Sequence, residues 1–170
     1  MVDDAPVAEL LGERLRERGE TLAVAESCTG GLLGSTITNV PGASDYFVGG
    51  VISYMNRTKL AFLAVSQEAL DRHGAVSRPV AREMAQHVRD EAGADWALST
   101  TGFAGAAPES SEEPAGTVYV GVACAGDSAA AEEAFSVVER HQFDGTRHEV
   151  KAQIVERALE SLLAQVQSTE

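Results

Sequence analysis

The spacing of the strand-like segments constrains the fold of this chain more than any other feature of its sequence. Short apolar segments at 21–25, 46–54 and 96–101 are separated by stretches long enough to hold helices. Two further segments, at 117–124 and 134–139, follow one another with only a short turn from Ala125 between them. Parallel strands need a crossover of a dozen or more residues, whereas antiparallel strands need only a hairpin. The sequence therefore predicts a mixed sheet, with a hairpin or meander at its end.

Helical periodicity fills the intervals between the first strands. The first helix can be capped by Asp3 or Asp4 and ends near Gly19. Helices before and between the strands predict a single-domain three-layer α/β/α sandwich with a mixed, roughly five-stranded sheet, covering 1–170 with its core at about 5–165. The other predicted helices are one stopped by Pro41, short pieces at 56–72, one from Ser77 to Gly93, and one at 146–165.

The chain is strongly acidic, which limits its partners. It has 13 Lys and Arg against 26 Asp and Glu, a formal charge of −13 that repels nucleic acid and anionic membranes. No apolar stretch approaches the ~20 residues of a membrane span. The acidic amino terminus is unlike a signal peptide, and the two cysteines match no disulfide or zinc pattern, so we expect a cytoplasmic location. Lysine occurs only at Lys59 and Lys151, so the acidity indicates either a solvated surface or adaptation to a salty cytosol.

The turn from Glu26 to Gly31 is the strongest local signal of function. Ser27 stands where a strand enters a helix, beside the backbone N–H groups of residues 28–31. Such N–H groups can bind an oxyanion or a phosphate, and glycines at 30 and 31 allow a ligand to approach the backbone. Helix capping by Ser27 or Thr29 explains the same residues without any catalysis.

A nucleophilic serine needs a base, and none of the four histidines has a suitable partner pattern. Lys59 follows Tyr54 by five residues, just beyond a predicted strand end where ligands of α/β sheets collect. A lysine withdrawn from water can act as a general base, and a tyrosine hydroxyl can relay its proton. Spacing alone favours an ordinary surface lysine.

The loop that follows the third predicted strand is long for a compact domain. Residues 101–117 are rich in glycine, proline and acid, which suits either a binding element or a flexible connection. Its acidic residues lack the spacing of a ligand cluster, so we predict no metal site.

Six ordered motifs resemble the CinA C-terminal domain family, which includes the stand-alone PncC nicotinamide-nucleotide amidases. They run collinearly from about Leu10 to Leu163. The motifs are Ala25-Glu-Ser-Cys-Thr-Gly-Gly-Leu-Leu, Val40-Pro-Gly-Ala-Ser, Tyr54-x-Asn56-x-x-Lys59, Gly74-Ala-Val-Ser, Thr101-Gly-x-Ala-Gly and Pro114-x-Gly-Thr-Val.

The resemblance implies a reaction and assigns roles to residues. It implies hydrolysis of nicotinamide mononucleotide to nicotinate mononucleotide and ammonia in pyridine-nucleotide salvage, without an organic cofactor. Ser27 corresponds to the nucleophile, Lys59 to the base and Tyr54 to its partner in proton transfer. The residues expected at the substrate are Cys28, Thr29, Gly30, Gly31, Thr101, Gly102, Ala104, Gly105 and Arg147.

Two departures from the family bear on how the substrate binds. The family continues its Thr-Gly-x-Ala-Gly motif with Pro-Gly-Gly, where this chain has Ala106-Ala107-Pro108. An arginine that usually lies four residues after Arg147 is replaced by Lys151, a point charge in place of a planar fork of donors.

Two alternatives to this assignment remain open from the sequence. The same pocket could belong to a non-catalytic nucleotide-binding or regulatory module. Cys28 could be the nucleophile, because a cysteine at a helix start can have a lowered pKa. Family members are commonly oligomeric, so we expect a homo-oligomer, to which the apolar stripe of the last helix could contribute.

Overall fold

The computed structural model describes residues 6–126 and 131–170, and these form one α/β unit. The elements are α1 (Val7–Arg18), β1 (Leu22–Glu26), α2 (Leu32–Thr38), a 3-10 turn (Ala43–Asp45), β2 (Phe47–Ile52), α3 (Asn56–Leu63), α4 (Gln67–His73), α5 (Arg78–Ala92), β3 (Trp96–Gly102), β4 (Thr117–Cys124), β5 (Phe135–Gln142) and α6 (Arg147–Ser168). The five strands lie in the order β2-β1-β3-β4-β5. Strand β1 is parallel to β2 and β3, whereas β4 is antiparallel to both β3 and β5, which confirms the predicted mixed sheet.

Helices cover both faces of the sheet, as the three-layer prediction requires. On one face, Leu22, Val24 and Leu98 pack beneath α1, α2 and α6. On the other face, β1, β3 and β4 present Ala23, Ala25, Ala97 and Ala123 to α3, α4 and α5. Small side chains on this second face let α5 lie close to the sheet, where the Ser99 hydroxyl donates to the Ala81 carbonyl at 2.6 Å.

Several predicted boundaries are confirmed by local geometry. Gly19 and Gly93 end α1 and α5 in the left-handed conformation, which costs glycine little. Thr146 begins α6 with a reciprocal capping box to Glu149. Asp3 and Asp4 lie outside the described residues, and the structure begins α1 after Pro6. The turn predicted from Ala125 also lies partly outside them.

Strand β2 is shorter than the predicted 46–54, and its pairing with β1 is irregular. Leu22 pairs with Phe47, but Ala23 pairs with Gly49, so the register shifts by one residue. Next to this bulge, a side chain at position 50 would lie 2.7 Å from the Val24 carbonyl oxygen. Adjacent glycines at 49 and 50 predict a bulge or a close backbone approach in this strand, and Gly50 permits that approach here.

The candidate site lies where three parallel strands end together. Glu26, the last residue of β1, pairs with Ile52 on one side and Thr100 on the other. The connections that leave these strand ends carry Ser27, Lys59 and the loop after Thr101. Carboxyl ends of parallel strands are the usual binding edge of α/β sheets.

Candidate active site

Backbone hydrogen bonds to Thr100 and Gly30 hold the Ser27 turn in place. Its backbone N–H continues the sheet by donating to the Thr100 carbonyl at 3.0 Å, and its carbonyl accepts from the Gly30 N–H at 3.2 Å. The Ser27 side chain is buried, although it lines a cleft. These bonds fix the backbone of Ser27 relative to the sheet.

Glu26 organises the start of α2 with a buried carboxylate. Its Oε1 accepts the Thr29 hydroxyl at 2.6 Å and the Gly31 and Leu33 N–H groups at 3.2 and 2.9 Å. Its Oε2 accepts the Gly34 N–H at 3.1 Å. The glutamate thus satisfies donors that a helix start leaves free, although it precedes the helix by six residues.

This arrangement narrows the set of backbone donors available to a ligand. The sequence indicated residues 28–31, but the N–H groups of Gly30 and Gly31 are used by Ser27 and Glu26. Within residues 6–126 and 131–170, the N–H groups of Cys28 and Thr29 donate to no other residue. These two donors follow the serine directly and are the candidates for an oxyanion hole.

Lys59 reaches the serine from α3. Its side chain is 1% exposed, and its Nζ lies 3.0 Å from the Ser27 Oγ. The same nitrogen lies 2.7 Å from the Ser53 carbonyl oxygen and 3.0 Å from that of Tyr54. Burial lowers the pKa of Lys59 from 10.5 to about 8, although the nearby Cys28 opposes the shift.

The geometry around this nitrogen suits a general base. A neutral amine has two N–H donors and one lone pair, whereas an ammonium group has three donors and no acceptor. When the two carbonyl oxygens accept the two N–H groups, the lone pair is directed at the Ser27 hydroxyl. Lys59 can then accept the proton of Ser27 at a pH near neutrality.

Tyr54 contributes its backbone to the site more directly than its ring. Its carbonyl oxygen is one of the two acceptors that orient Lys59. Its side chain is 65% exposed and lines the mouth of the cleft. No hydrogen bond joins the Tyr54 hydroxyl to Ser27 or Lys59 in the described chain.

The cleft beside Ser27 has a volume of about 220 Å³. It brings together most of the residues that the sequence singled out, which come from four distant segments. Thr101 holds one wall, because its hydroxyl donates to the Ala75 carbonyl at 2.8 Å. Lining residues are Ser27, Cys28, Tyr54, Lys59, Ala75, Val76, Thr101, Gly102, Phe103, Ala104, Gly105, Ala106 and Arg147.

Two cations from α6 stand beside this cleft. The Arg147 guanidinium lies so close to Gly105 that a methyl group there would be 2.5 Å from one of its nitrogens. The Lys151 Nζ lies 3.8 Å from the position that a Cβ atom at Gly30 would occupy. Thr29, Gly30 and Gly31 do not line the cleft itself, but Gly30 faces the lysine.

Sequence reasoning assigned no role at the site to several residues that build it. Glu26 orders the turn, Ser53 orients Lys59, and Ala75 and Val76 form a wall. The Gly74-Ala-Val-Ser motif was the available signal for that wall. Ser53 acts through its carbonyl group, which no side-chain pattern reveals.

Cys28 has an environment unlike that of a reactive thiol. Burial raises its pKa to about 12, and a hydrogen bond with its own backbone and the charge of Lys59 offset only part of that rise. A nucleophilic cysteine needs the opposite shift. The geometry therefore favours Ser27 over Cys28 as the nucleophile.

The described residues contain no group of three or more His, Cys, Asp or Glu side chains placed to hold a metal ion. In the same part of the chain, no helix combines the length and apolar character needed to cross a membrane.

Comparison with known proteins identifies relatives along nearly the whole chain. The family model for the CinA C-terminal domain matches residues 4–166. A CinA-like protein from Chlorobaculum tepidum is 44% identical over 168 residues, which cover 98% of this chain and 39% of that protein. A CinA-like protein from Trichormus variabilis is 52% identical over 126 residues, which cover 74% of this chain and 30% of that protein. The chain thus spans well under half the length of these relatives.

Solved structures resemble this chain over almost their full length. A CinA superfamily protein from Klebsiella pneumoniae has a TM-score of 0.87 at 30% identity, covering 95% of this chain and 96% of that one. The CihA competence/damage inducible protein from Agrobacterium tumefaciens has a TM-score of 0.79 at 31% identity, covering 97% and 99%. Sequence and structure agree, and the chain belongs to the CinA C-terminal domain family.

Proposed function

We propose that this protein is a nicotinamide-nucleotide amidase that hydrolyses nicotinamide mononucleotide to nicotinate mononucleotide and ammonia. The observation that carries the proposal is the 3.0 Å contact between the Ser27 Oγ and the buried Lys59 Nζ. Amide hydrolysis needs an activated nucleophile, a place for the oxyanion and a proton for the leaving group. The cleft has a candidate for each requirement.

The reaction follows from these three groups. Lys59 takes the proton of Ser27 as its oxygen attacks the carboxamide carbon, and the N–H groups of Cys28 and Thr29 bind the oxyanion. The Lys59 ammonium then protonates the departing nitrogen, so ammonia leaves and an acyl-serine remains. Water, deprotonated by the neutral Lys59, attacks that ester, which releases the carboxylate product and restores the Ser27 hydroxyl.

The substrate phosphate requires positive charge in a protein whose net charge is −13. Arg147 and Lys151 provide it, one helical turn apart at the start of α6, next to Gly105 and Gly30. Arg147→Ala is then expected to raise KM for the mononucleotide while leaving KM for the nucleoside, which lacks the phosphate, nearly unchanged. A cytoplasmic location suits this substrate and the two buried, unpaired cysteines.

A non-catalytic nucleotide-binding module is the second candidate, since the same cleft could hold a nucleotide without turnover. The buried lysine beside a serine argues against it, because burial of an amine destabilises a protein that gains nothing from its reactivity. Ammonia release from nicotinamide mononucleotide separates the two candidates.

The decisive comparison is between Ser27→Ala and Ser168→Ala. Ser168 is exposed at the end of α6, where its hydroxyl donates only to the Gln165 carbonyl. We expect Ser168→Ala to release ammonia like the unmodified protein, and Ser27→Ala to release none while melting at a similar temperature. Binding of the mononucleotide by the unmodified protein without ammonia release would support the binding module instead.

A further inference from the structure

Thr100, on the neighbouring strand β3, is bonded to both ends of the tripeptide that begins with Ser27. It is fully buried, and it is not one of the residues of the described chain that line the cleft. Its carbonyl accepts the Ser27 N–H at 3.0 Å. Its hydroxyl lies 2.8 Å from the hydroxyl of Thr29, which is equally buried. One residue of β3 therefore holds both the serine and the residue two positions after it.

The Glu26 carboxylate determines the direction of the hydrogen bond between the two threonines. Both of its oxygens receive backbone N–H groups, which can only donate, so the carboxylate acts as an acceptor. The Thr29 hydroxyl lies 2.6 Å from Oε1 of Glu26 and gives its one hydrogen to that oxygen. Thr29 must then accept from Thr100, because a hydroxyl has no second hydrogen to donate. The three side chains form a directed chain of hydrogen bonds from Thr100 through Thr29 to Glu26.

This chain of hydrogen bonds restrains Thr29 from two directions. Glu26 is only three positions away in the sequence and belongs to the strand that leads into the turn. Thr100 is 71 positions away and acts from another strand. A side chain held by one bond can pivot about it, whereas two bonds from different strands fix its place relative to the sheet. The Thr29 N–H, one of the two candidate oxyanion donors, is fixed with it.

We propose that Thr100 is a positioning residue for the oxyanion hole. Its hydroxyl holds Thr29 and its carbonyl holds Ser27, so the donor and the nucleophile keep a constant separation. This inference rests on the proposed amidase. Negative charge develops on the carboxamide oxygen in the transition state, so a misplaced donor weakens binding of the transition state more than binding of the substrate. Loss of the Thr100 hydroxyl should therefore lower kcat and leave KM nearly unchanged.

Thr100→Val removes this hydroxyl and keeps the shape of the side chain. Removing an oxyanion donor outright lowers kcat by about 10²–10³-fold, and here the donor stays while its placement loosens, so we expect a smaller loss of about tenfold. Thr100→Ser keeps a hydroxyl and should restore kcat. The constant KM and the rescue by serine distinguish positioning from a general loss of packing.

Thr29→Val interrupts the same chain of hydrogen bonds at its middle. It should lower kcat at least as much as Thr100→Val does. The double variant should lower kcat no further than Thr29→Val alone, because the Thr100 hydroxyl then has no hydroxyl to hold. Losses that multiply in the double variant would show that the two threonines act independently, and they would overturn the proposal.

Thr21→Val is the matched control at the opposite end of β1. The Thr21 hydroxyl donates to the Asp95 carboxylate at 2.9 Å and accepts the Asp95 N–H at 3.1 Å. The same substitution thus removes side-chain hydrogen bonds far from the cleft, and kcat should stay at the value of the unmodified protein. Thermal melting checks that every variant folds. An equal fall in kcat for Thr21→Val and Thr100→Val would contradict a specific role for Thr100.

Pyridine-3-boronic acid probes the oxyanion hole without turnover. The Ser27 oxygen bonds to boron, its proton passes to Lys59, and the tetrahedral adduct carries an oxygen where the oxyanion would lie. Calorimetric titration should show that Thr100→Val binds this probe about tenfold more weakly than the unmodified protein and Thr100→Ser do. Equal affinities would overturn the inference, as would an unmodified protein that does not bind the probe. Failure of the amidase is distinct, since it appears as probe binding without ammonia release from nicotinamide mononucleotide.

Discussion

Replacing Lys59 by methionine should change how stability depends on pH. Methionine keeps most of the buried aliphatic side chain and removes the amine. In the folded protein the pKa of Lys59 is about 8, against 10.5 for an ordinary lysine. The unfolded chain therefore binds more protons than the folded one between these two pH values. Stability of the unmodified protein rises with pH across this interval, and the variant lacks that contribution.

The magnitude follows from the size of the pKa difference. Lowering the value from 10.5 to about 8 corresponds to about 3 kcal/mol of unfolding free energy. This penalty is fully present below pH 8 and absent above pH 10.5. Methionine removes this penalty, but it also leaves the buried Ser53 carbonyl without its hydrogen-bond donor, which lowers the unfolding free energy by about 1–3 kcal/mol at every pH. At pH 7 the two effects nearly cancel, so the pH dependence is the informative quantity.

This pH dependence can be measured by urea unfolding, followed through the fluorescence of Trp96, which is the single tryptophan and is fully buried. The unfolding free energy of the unmodified protein minus that of Lys59→Met should increase by about 3 kcal/mol from pH 8 to pH 10.5 and stay level below pH 7. Lys151→Met, which alters the other lysine where it is partly exposed, should show no such rise. Parallel curves for the unmodified protein and Lys59→Met would refute the assignment of a low pKa to Lys59.

Four further predictions concern the site and the sheet beneath it. Because the base must be neutral, kcat/KM for ammonia release should rise about tenfold per pH unit below about 8 and then level off; a level profile from pH 6 to 9 would contradict this. Glu26→Gln replaces one acceptor oxygen by a donor that faces backbone N–H groups. Urea unfolding should therefore show a loss of about 1–3 kcal/mol in the unfolding free energy, and ammonia assays should show a lower kcat. Glu9→Gln, at an exposed position, should alter neither quantity. Iodoacetamide at pH 7 should leave activity intact, since burial raises the pKa of Cys28 to about 12; rapid inactivation that Cys28→Ala abolishes would argue for the thiol. Gly121→Ala would place a methyl group 2.7 Å from the Ala81 carbonyl oxygen, so urea unfolding should show a loss of about 1–3 kcal/mol or more in the unfolding free energy. Gly19→Ala, whose added methyl group meets open space at φ +65°, should lose only about 1 kcal/mol of the same free energy.

The fold was largely predictable because its signals are local. Apolar segments, helical stripes and the glycines that end helices predicted the element order and the mixed sheet. The 3-10 turn at Ala43–Asp45 was not predicted. Gly49 and Gly50 allow a bulge in β2, but its place depends on how β2 meets β1. Residues that end helices and strands can be predicted from the sequence, whereas a bulge depends on how two strands pair with each other.

The site was predictable as a set of residues but not as a geometry. Ser27 and Lys59 are 32 positions apart, and the pairing of Glu26 with Ile52 brings their connections together. Two of the four expected N–H donors are occupied: that of Gly30 by the Ser27 carbonyl, and that of Gly31 by the Glu26 carboxylate, which turns back onto the helix that follows it. That reversal uses the left-handed conformations of Gly30 and Gly31, glycines that the sequence analysis interpreted as room for a ligand.

The close seating of α5 on small side chains has a consequence for the wall of the cleft. The segment just before this helix contains Ala75, whose carbonyl accepts the Thr101 hydroxyl, and Val76, which faces the serine's cleft. Any enlargement of the layer beneath the helix, at Gly121 or Ala97, would lift the helix and carry that wall with it. Distance from the serine is therefore a poor guide to which substitutions will disturb turnover. Residues that touch no ligand can set the width of the space in which the ligand reacts.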